Sequence, residues 1–207
     1  MTAFNLCGRD LTTLEGIDIT PCNGYLDFSF NLLENLDTVT LPSTLKILNC
    51  RDNLLSSLNA EKLPLGLQEL RCCNNLLTSL PDLSHLKRLK VLDCGGNQIT
   101  FIPDQGLPPN LVTFYCDINK LTIFPDFPIS LKYLSCLLNP CPLRDINSIK
   151  LSQHNKKRKK LGLELLDKIP KKHVLAEINE RYIISQYEPG GDMFEKSQQE
   201  IQKLLQN

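Results

Sequence analysis

The sequence predicts an α/β solenoid, with short parallel β-strands on a concave face, extended or short-helical returns on the convex face, and a C-terminal helical cap. Three observations predict it. Asn31, Asn53, Asn75, Asn97 and Asn119 recur every 22 residues, and Asn139 follows after 20. Apolar residues hold fixed distances from each asparagine. Proline marks most of the segments between. A fixed period of this size means stacked units, each too small to bury its apolar side alone. One step further back falls on Arg9, where the asparagine is lost but its apolar flanks, Phe4, Leu6, Leu11 and Leu14, survive.

The strands come first in each unit. One copy reads Leu45-x-x-Leu48-x-Cys50-x-x-Asn53-x-Leu55-x-x-Leu58. The next places Leu67, Leu70, Cys72, Asn75, Leu77 and Leu80 in the same slots. Then come Leu89, Leu92, Cys94, Asn97, Ile99 and Ile102, followed by Leu111, Phe114, Cys116, Asn119, Leu121 and Phe124. Leu131, Leu134, Cys136 and Asn139 begin a further copy, and Leu26, Phe28, Asn31, Leu33 and Leu36 form an earlier one. Alternation at Leu48-x-Cys50 sends two side chains to one face of an extended segment. The asparagine ends the strand, and its amide can serve backbone groups left open by the turn.

This pattern resembles the leucine-rich repeat family, whose unit reads L-x-x-L-x-L-x-x-N-x-L, with cysteine here in the third apolar slot. The resemblance covers roughly residues 4 to 141. Its short repeats are similar to the subtype found in secreted effectors of enteric bacteria. The cysteine slot is similar to repeat proteins of giant DNA viruses and some bacteria. The implied fold is a leucine-rich repeat solenoid of about seven repeats over residues 1–142, with residues 143–207 as a helical cap or tail.

The returns carry Leu41-Pro42, Leu63-Pro64, Leu107-Pro108 and Phe127-Pro128 before four strands. Proline fixes φ and removes a donor, which suits an extended return. Leu83 to Leu89 lacks such a proline, and a helical turn is open to it.

After residue 142 the repeat slots vanish. Residues 150–207 hold 12 Lys and Arg against 8 Asp and Glu; residues 1–149 hold 11 against 15, from totals of 23 and 23. Neutrality is thus the sum of two opposite parts. Helical spacing appears at Leu161, Leu165, Leu166 and Ile169, again at Val174, Leu175, Ile178 and Tyr182, and after Asp192 with Phe194, Ile201, Leu204 and Leu205. Open solenoid ends expose apolar rungs and need covers, so these segments are expected to cap the stack.

Nine cysteines invite a metal or disulfide reading. Cys50, Cys72, Cys94, Cys116 and Cys136 share one slot, so they form a line at strand spacing, about 4.8 Å apart. A line cannot surround one ion tetrahedrally, so no metal and no cofactor is expected. They read as small core residues. Unpaired thiols in this number imply a reducing compartment, hence a cytoplasmic protein, with the nucleus or a host cell as alternatives. Cys73 alternates to the opposite face and is expected to be the accessible thiol. The N-terminus shows no basic head followed by an apolar run, so no secretory signal is read there.

No phosphate-binding glycine loop and no H-E-x-x-H is present. His85, His154 and His173 are scattered, and no catalytic residue is expected. Some effectors of the resembling subtype join their repeats to a large ubiquitin-ligase domain with a catalytic cysteine. Here 65 residues follow residue 142, and Cys141-Pro142-Leu143 lacks the C-x-D pattern.

Recognition is the expected function: a probe-like strand face that binds a partner protein, with no small-molecule substrate. Alternation points Arg51, Arg71, Asp93, Tyr115, Asp117 and Tyr133 to that face. Tyrosine and arginine are favoured interface anchors, and the two aspartates are expected to add selectivity. The second expectation is a targeting or scaffold role through Lys156, Lys157, Arg158, Lys159 and Lys160. That cluster would meet a nucleic acid, a nuclear import receptor or an anionic membrane. The protein is expected to be a monomer.

Overall fold

The structure, a computed structural model, describes residues 2–136, 138–140, 155–163 and 167–168. The chain divides into two compact units, Met1–Lys168 and Ile169–Asn207; the second lies outside the described residues. Among the described residues, eight strands form one parallel sheet in chain order: β1 (Thr2–Asn5), β2 (Gly24–Asp27), β3 (Ile47–Asn49), β4 (Glu69–Arg71), β5 (Val91–Asp93), β6 (Thr113–Tyr115), β7 (Tyr133–Ser135) and β8 (Asp167–Lys168). Pairing carries the sequence period straight into space. Leu26 faces Leu48, Leu48 faces Leu70, Leu70 faces Leu92, Leu92 faces Phe114 and Phe114 faces Leu134.

The leucine slots build the core. Leu48, Leu70, Leu92 and Phe114 are fully buried, as are Leu45, Leu67, Leu89 and Leu111, and Leu55, Leu77, Ile99 and Leu121. Each such side chain contributes roughly 1.5–3 kcal/mol on burial. The cysteine slot completes the layer. Cys50, Cys72, Cys94 and Cys116 are buried and Cys136, on the last repeat rung, is half-buried.

The asparagine ladder closes each turn. Asn53 Nδ2 donates to the carbonyls of Phe28, Cys50 and Arg51 at 3.0–3.2 Å, and its Oδ1 accepts from Leu33 N at 3.0 Å. Asn75, Asn97 and Asn119 repeat this set one rung on each time. One side chain thereby supplies the acceptor for one backbone N–H and a donor to three carbonyls, so that consecutive asparagines share carbonyls along the ladder. The turn demands a left-handed residue just before the asparagine. Phe30, Asp52, Asn74, Gly96, Ile118 and Leu138 all have φ between 50° and 62°.

The returns are tight turns. In the four Pro-led copies the proline carbonyl accepts from the leucine three residues on, as from Leu67 N to Pro64 at 2.9 Å. Residues 83–89, left open for a helical turn, instead make two successive turns, Leu86 N to Leu83 and Leu89 N to Leu86, both at 3.0 Å. A 3₁₀ helix occurs at Ala60–Lys62, where Asn59 Oδ1 accepts from Glu61 N at 3.1 Å.

One expectation is overturned past the repeats. Leu161, Leu165, Leu166 and Ile169 were spaced as a helix. Residues 155–160 are helical instead, Gly162 stops that helix with φ +66°, and Asp167–Lys168 pair with β7 as a strand. The open edge of β7 offers backbone partners that an isolated short helix could not use. The sheet therefore runs beyond residue 142. The helices expected at 174–182 and 192–205 lie outside the described residues.

Candidate functional site

The strand face is built from three columns of side chains. Alternation brings position one of each strand (Tyr25, Ile47, Glu69, Val91, Thr113, Tyr133) into one column, and position three (Asp27, Asn49, Arg71, Asp93, Tyr115, Ser135) into the next. Ser29, Arg51, Cys73, Gly95 and Asp117 follow two residues later. Neighbouring strands lie only about 4.8 Å apart, so facing outward does not mean being exposed.

The six predicted residues separate accordingly. Tyr133 and Arg71 are exposed, and Arg51 and Tyr115 are half-buried. Tyr115 and Tyr133 lie diagonally on neighbouring strands, since Thr113 pairs with Tyr133 and Tyr115 with Ser135. Arg71 pairs with Glu69 within its own strand. The Arg51 guanidinium lies 4.7 Å from the centre of the Phe30 ring, and its Nε is 3.5 Å from Asp52 Oδ2. Asp93 and Asp117 are both buried, Asp117 with 1% of its surface exposed. Asp117 accepts a bond from Ser135 Oγ at 2.5 Å, and Asp93 accepts from Gly95 N at 3.2 Å. Both carboxylates are bonded within the floor of the face, so the exposure that alternation implied for them is corrected.

Cys73 is corrected too. It keeps 3% of its surface exposed. Burial pushes its thiol well up, and the carboxylates of Asp93 and Asp52 add to that. The array has no accessible thiol at this position.

A polar cluster at the N-terminal end escaped sequence reasoning. Asp27 accepts from Tyr25 Oη at 2.6 Å, from Ser29 Oγ at 2.6 Å, from Ser29 N at 2.9 Å and from Asn49 Nδ2 at 3.0 Å. Burial alone would raise its carboxyl, but the bonds from Ser29, Tyr25 and Asn49 together outweigh burial and hold it below the usual range. The signal was available, because Asp27 stands 22 residues before Asn49 in the same column. A second missed feature is a row of exposed leucines, Leu32, Leu54 and Leu76, each directly after a ladder asparagine in successive rungs. It too was written in the 22-residue spacing.

Chemically, the face offers cations, phenols and apolar edges on a rigid backbone. Among the described residues, no group of three His, Cys, Asp or Glu side chains is placed to hold a metal ion.

Residues 66–108 match the family model for leucine-rich repeats (two copies). No curated protein matches the chain. Among solved structures, the chain is similar to YopM from Yersinia enterocolitica, at 37% identity and TM-score 0.50, over 56% of this chain and 24% of that one. It is similar to YopM of Yersinia pestis, a leucine-rich effector protein, at 31% identity and TM-score 0.52, over 56% of this chain and 32% of that one. The functional domain of InlJ from Listeria monocytogenes, which includes a cysteine ladder, is similar at 29% identity and TM-score 0.51, over 59% of this chain and 27% of that one. The chain thus spans a quarter to a third of the length of these structures.

Proposed function

Because the stack is a leucine-rich repeat solenoid, and such proteins typically mediate protein–protein interaction and are generally non-enzymatic, we propose that this chain binds a partner protein along its concave strand face. One observation carries the reading. Arg51, Arg71, Tyr115 and Tyr133 keep accessible surface on a floor of internally bonded Asp27, Asn49, Asp93, Asp117 and Ser135. A floor whose polar groups are already satisfied does not need to reorganise when a partner arrives, so little ordering cost falls on binding.

The charges fit an exchange of partners. The Arg71–Glu69 pair is solvent-facing, and such pairs contribute only about 0–1 kcal/mol. A partner carboxylate can replace Glu69 at small cost. Tyr115 and Tyr133 then supply broad contact area with a polar end. Asp93 and Asp117 act indirectly, by fixing the backbone and hydroxyls around them.

The test is titration calorimetry with a partner captured from the native host, comparing the unaltered chain with Arg71→Glu/Tyr115→Ala. The double variant is expected to bind at least about tenfold more weakly. Both positions lie outside the core, so circular dichroism should be unchanged. Equal affinity for the two chains would remove the strand face as the site.

A further inference from the structure

The basic cluster is more organised than a run of five cations suggests. Arg158 is withdrawn from solvent, with 2% of its surface exposed. Its Nη1 donates to the carbonyls of Leu131, at 3.0 Å, and Ile129, in the return that leads into β7. One cation of the cluster is therefore spent on the last repeat rung. The other four, Lys156, Lys157, Lys159 and Lys160, are exposed.

Helical geometry accounts for that division. At about 100° per residue, Lys157 and Lys159 flank the anchored Arg158, and Lys156 and Lys160 fall on the far side. The turn then stops cleanly. Gly162 N donates to the Lys159 carbonyl at 3.1 Å and Leu163 N to the Arg158 carbonyl at 3.0 Å, with Gly162 left-handed. These are the two bonds of a Schellman ending. Leu161 and Leu163 are left in solvent with 64% and 42% of their surfaces exposed.

We propose that Lys156, Lys157, Lys159 and Lys160, with Leu161 and Leu163, form a docking element for the surface of an anionic lipid bilayer. Four lysines alone suit any polyanion. Two water-exposed leucines directly beside them suit a surface that is anionic outside and apolar just beneath. Residues 155–163 contain no aromatic side chain on which a base could stack, so a single-stranded nucleic acid gains less here. They contain no acidic residue either. The net negative charge of residues 1–149 opposes such docking only locally, because charges beyond about 8–10 Å are screened at physiological salt. Fixing the turn through Arg158 removes part of the ordering cost of surface binding. The element is separate from the strand face, and its success or failure leaves that reading untouched.

The test uses the full chain and vesicle co-sedimentation, with phosphatidylcholine alone and with phosphatidylserine added. Binding is expected on the mixed vesicles and to fall with added salt. Replacing the four lysines with glutamine should weaken it on the order of a hundredfold or more, at roughly fivefold per cation near the surface. Leu161→Gln/Leu163→Gln should weaken it about tenfold while leaving retention on a DNA duplex unchanged. All six positions are exposed, and an unaltered far-ultraviolet spectrum confirms that each variant is folded. Binding that ignores phosphatidylserine, that survives the lysine replacements, or that is indifferent to the two leucines would overturn the proposal. Tighter binding to a DNA duplex than to the mixed vesicles at equal salt would also overturn it, and would make the element a nucleic-acid contact.

Discussion

Asn75 Nδ2 donates to the main-chain carbonyl of Cys50, 25 residues earlier, at 3.0 Å. The same amide serves the carbonyls of Cys72 and Cys73, and its oxygen accepts from Leu55 N. One buried side chain thus ties two rungs together and closes its own turn. Asn75→Ala leaves Leu55 N without its acceptor and takes one donor from each of the three carbonyls, which keep Asn53, Asn97 and Asp52 N as their other donors. With one orphaned group, the expected loss is about 1–3 kcal/mol. Urea unfolding followed by circular dichroism reads it directly. A loss under about 0.5 kcal/mol would show that water replaces the amide.

The residue before each ladder asparagine gives a prediction of opposite sign. Ile118 has φ +50° and Gly96, its equivalent one rung earlier, φ +62°. The left-handed region costs a residue with a Cβ roughly 1–2 kcal/mol and a β-branched one the most. Ile118→Gly is therefore expected to stabilise the chain by about 1 kcal/mol, less the entropy that glycine adds to the unfolded state. Gly96→Ala should destabilise it by about 1 kcal/mol. Paired urea midpoints check both, and equal signs would refute the account.

Much of the fold was legible because each rung repeats the same answer. Leu48, Leu70 and Leu92 occupy one slot, and a parallel stack is the arrangement that buries all three. Burial on the strand face was not legible. Alternation tells which face Asp117 occupies, but not that it lies buried there, bonded by Ser135 of the next rung. Cys73 failed for the same reason. The stretch from Leu161 failed differently. Its apolar spacing fits a helix, but Gly162 ends the preceding turn and the free edge of β7 recruits Asp167 and Lys168. Arg158 read as one more surface cation, because nothing in its local sequence reveals the carbonyls of Ile129 and Leu131.

Asp27 predicts behaviour in acid. Its carboxyl is held below the usual range in the folded chain by the bonds from Ser29, Tyr25 and Asn49, against the opposing effect of burial. A depressed folded value means that the carboxylate stabilises the fold above the unfolded value of about 3.9 and that this contribution is lost as pH falls through the folded value. Asp27→Asn should cost about 1–3 kcal/mol at neutral pH. The gap to the unaltered chain should narrow below about pH 4. Stability curves for both chains against pH test it, and a gap constant down to pH 2 would exclude the carboxylate as its source.

Thiol labelling separates the two cysteine classes. Cys7 is exposed, while Cys22, Cys50, Cys72, Cys73, Cys94 and Cys116 are buried. A native chain treated briefly with an aromatic disulfide reagent should therefore be modified at Cys7, with the six buried thiols reacting only after denaturation. Site-resolved peptide mass spectrometry reads the outcome. Labelling of Cys73 at the rate of Cys7 would place its sulfur in solvent.

The cysteine ladder also sets an alkaline limit. Burial pushes the Cys50 thiol up to about 12 and those of Cys72, Cys73, Cys94 and Cys116 well above their ordinary value. Cys50, Cys94 and Cys116 each direct their sulfur to a carbonyl of the next strand, at 3.3–3.5 Å, which favours the protonated form. In the unfolded chain the same thiols ionise near pH 8.5. Because the folded values are raised, the stability they contribute is fully present below about pH 8.5 and is lost as pH rises toward the folded values. Each thiol removes roughly 1.4 kcal/mol per pH unit in that window. Five acting together approach the whole stability of an ordinary domain within one to two units. Under reducing conditions, stability is therefore expected to fall steadily as pH rises above about 8.5. Cys72→Val keeps an apolar side chain of similar size and removes one ionisable group. Its stability should fall with pH about one fifth less steeply. Parallel slopes for the variant and the unaltered chain, measured by urea unfolding at intervals above pH 8, would show that the ladder thiols already reach water in the folded protein.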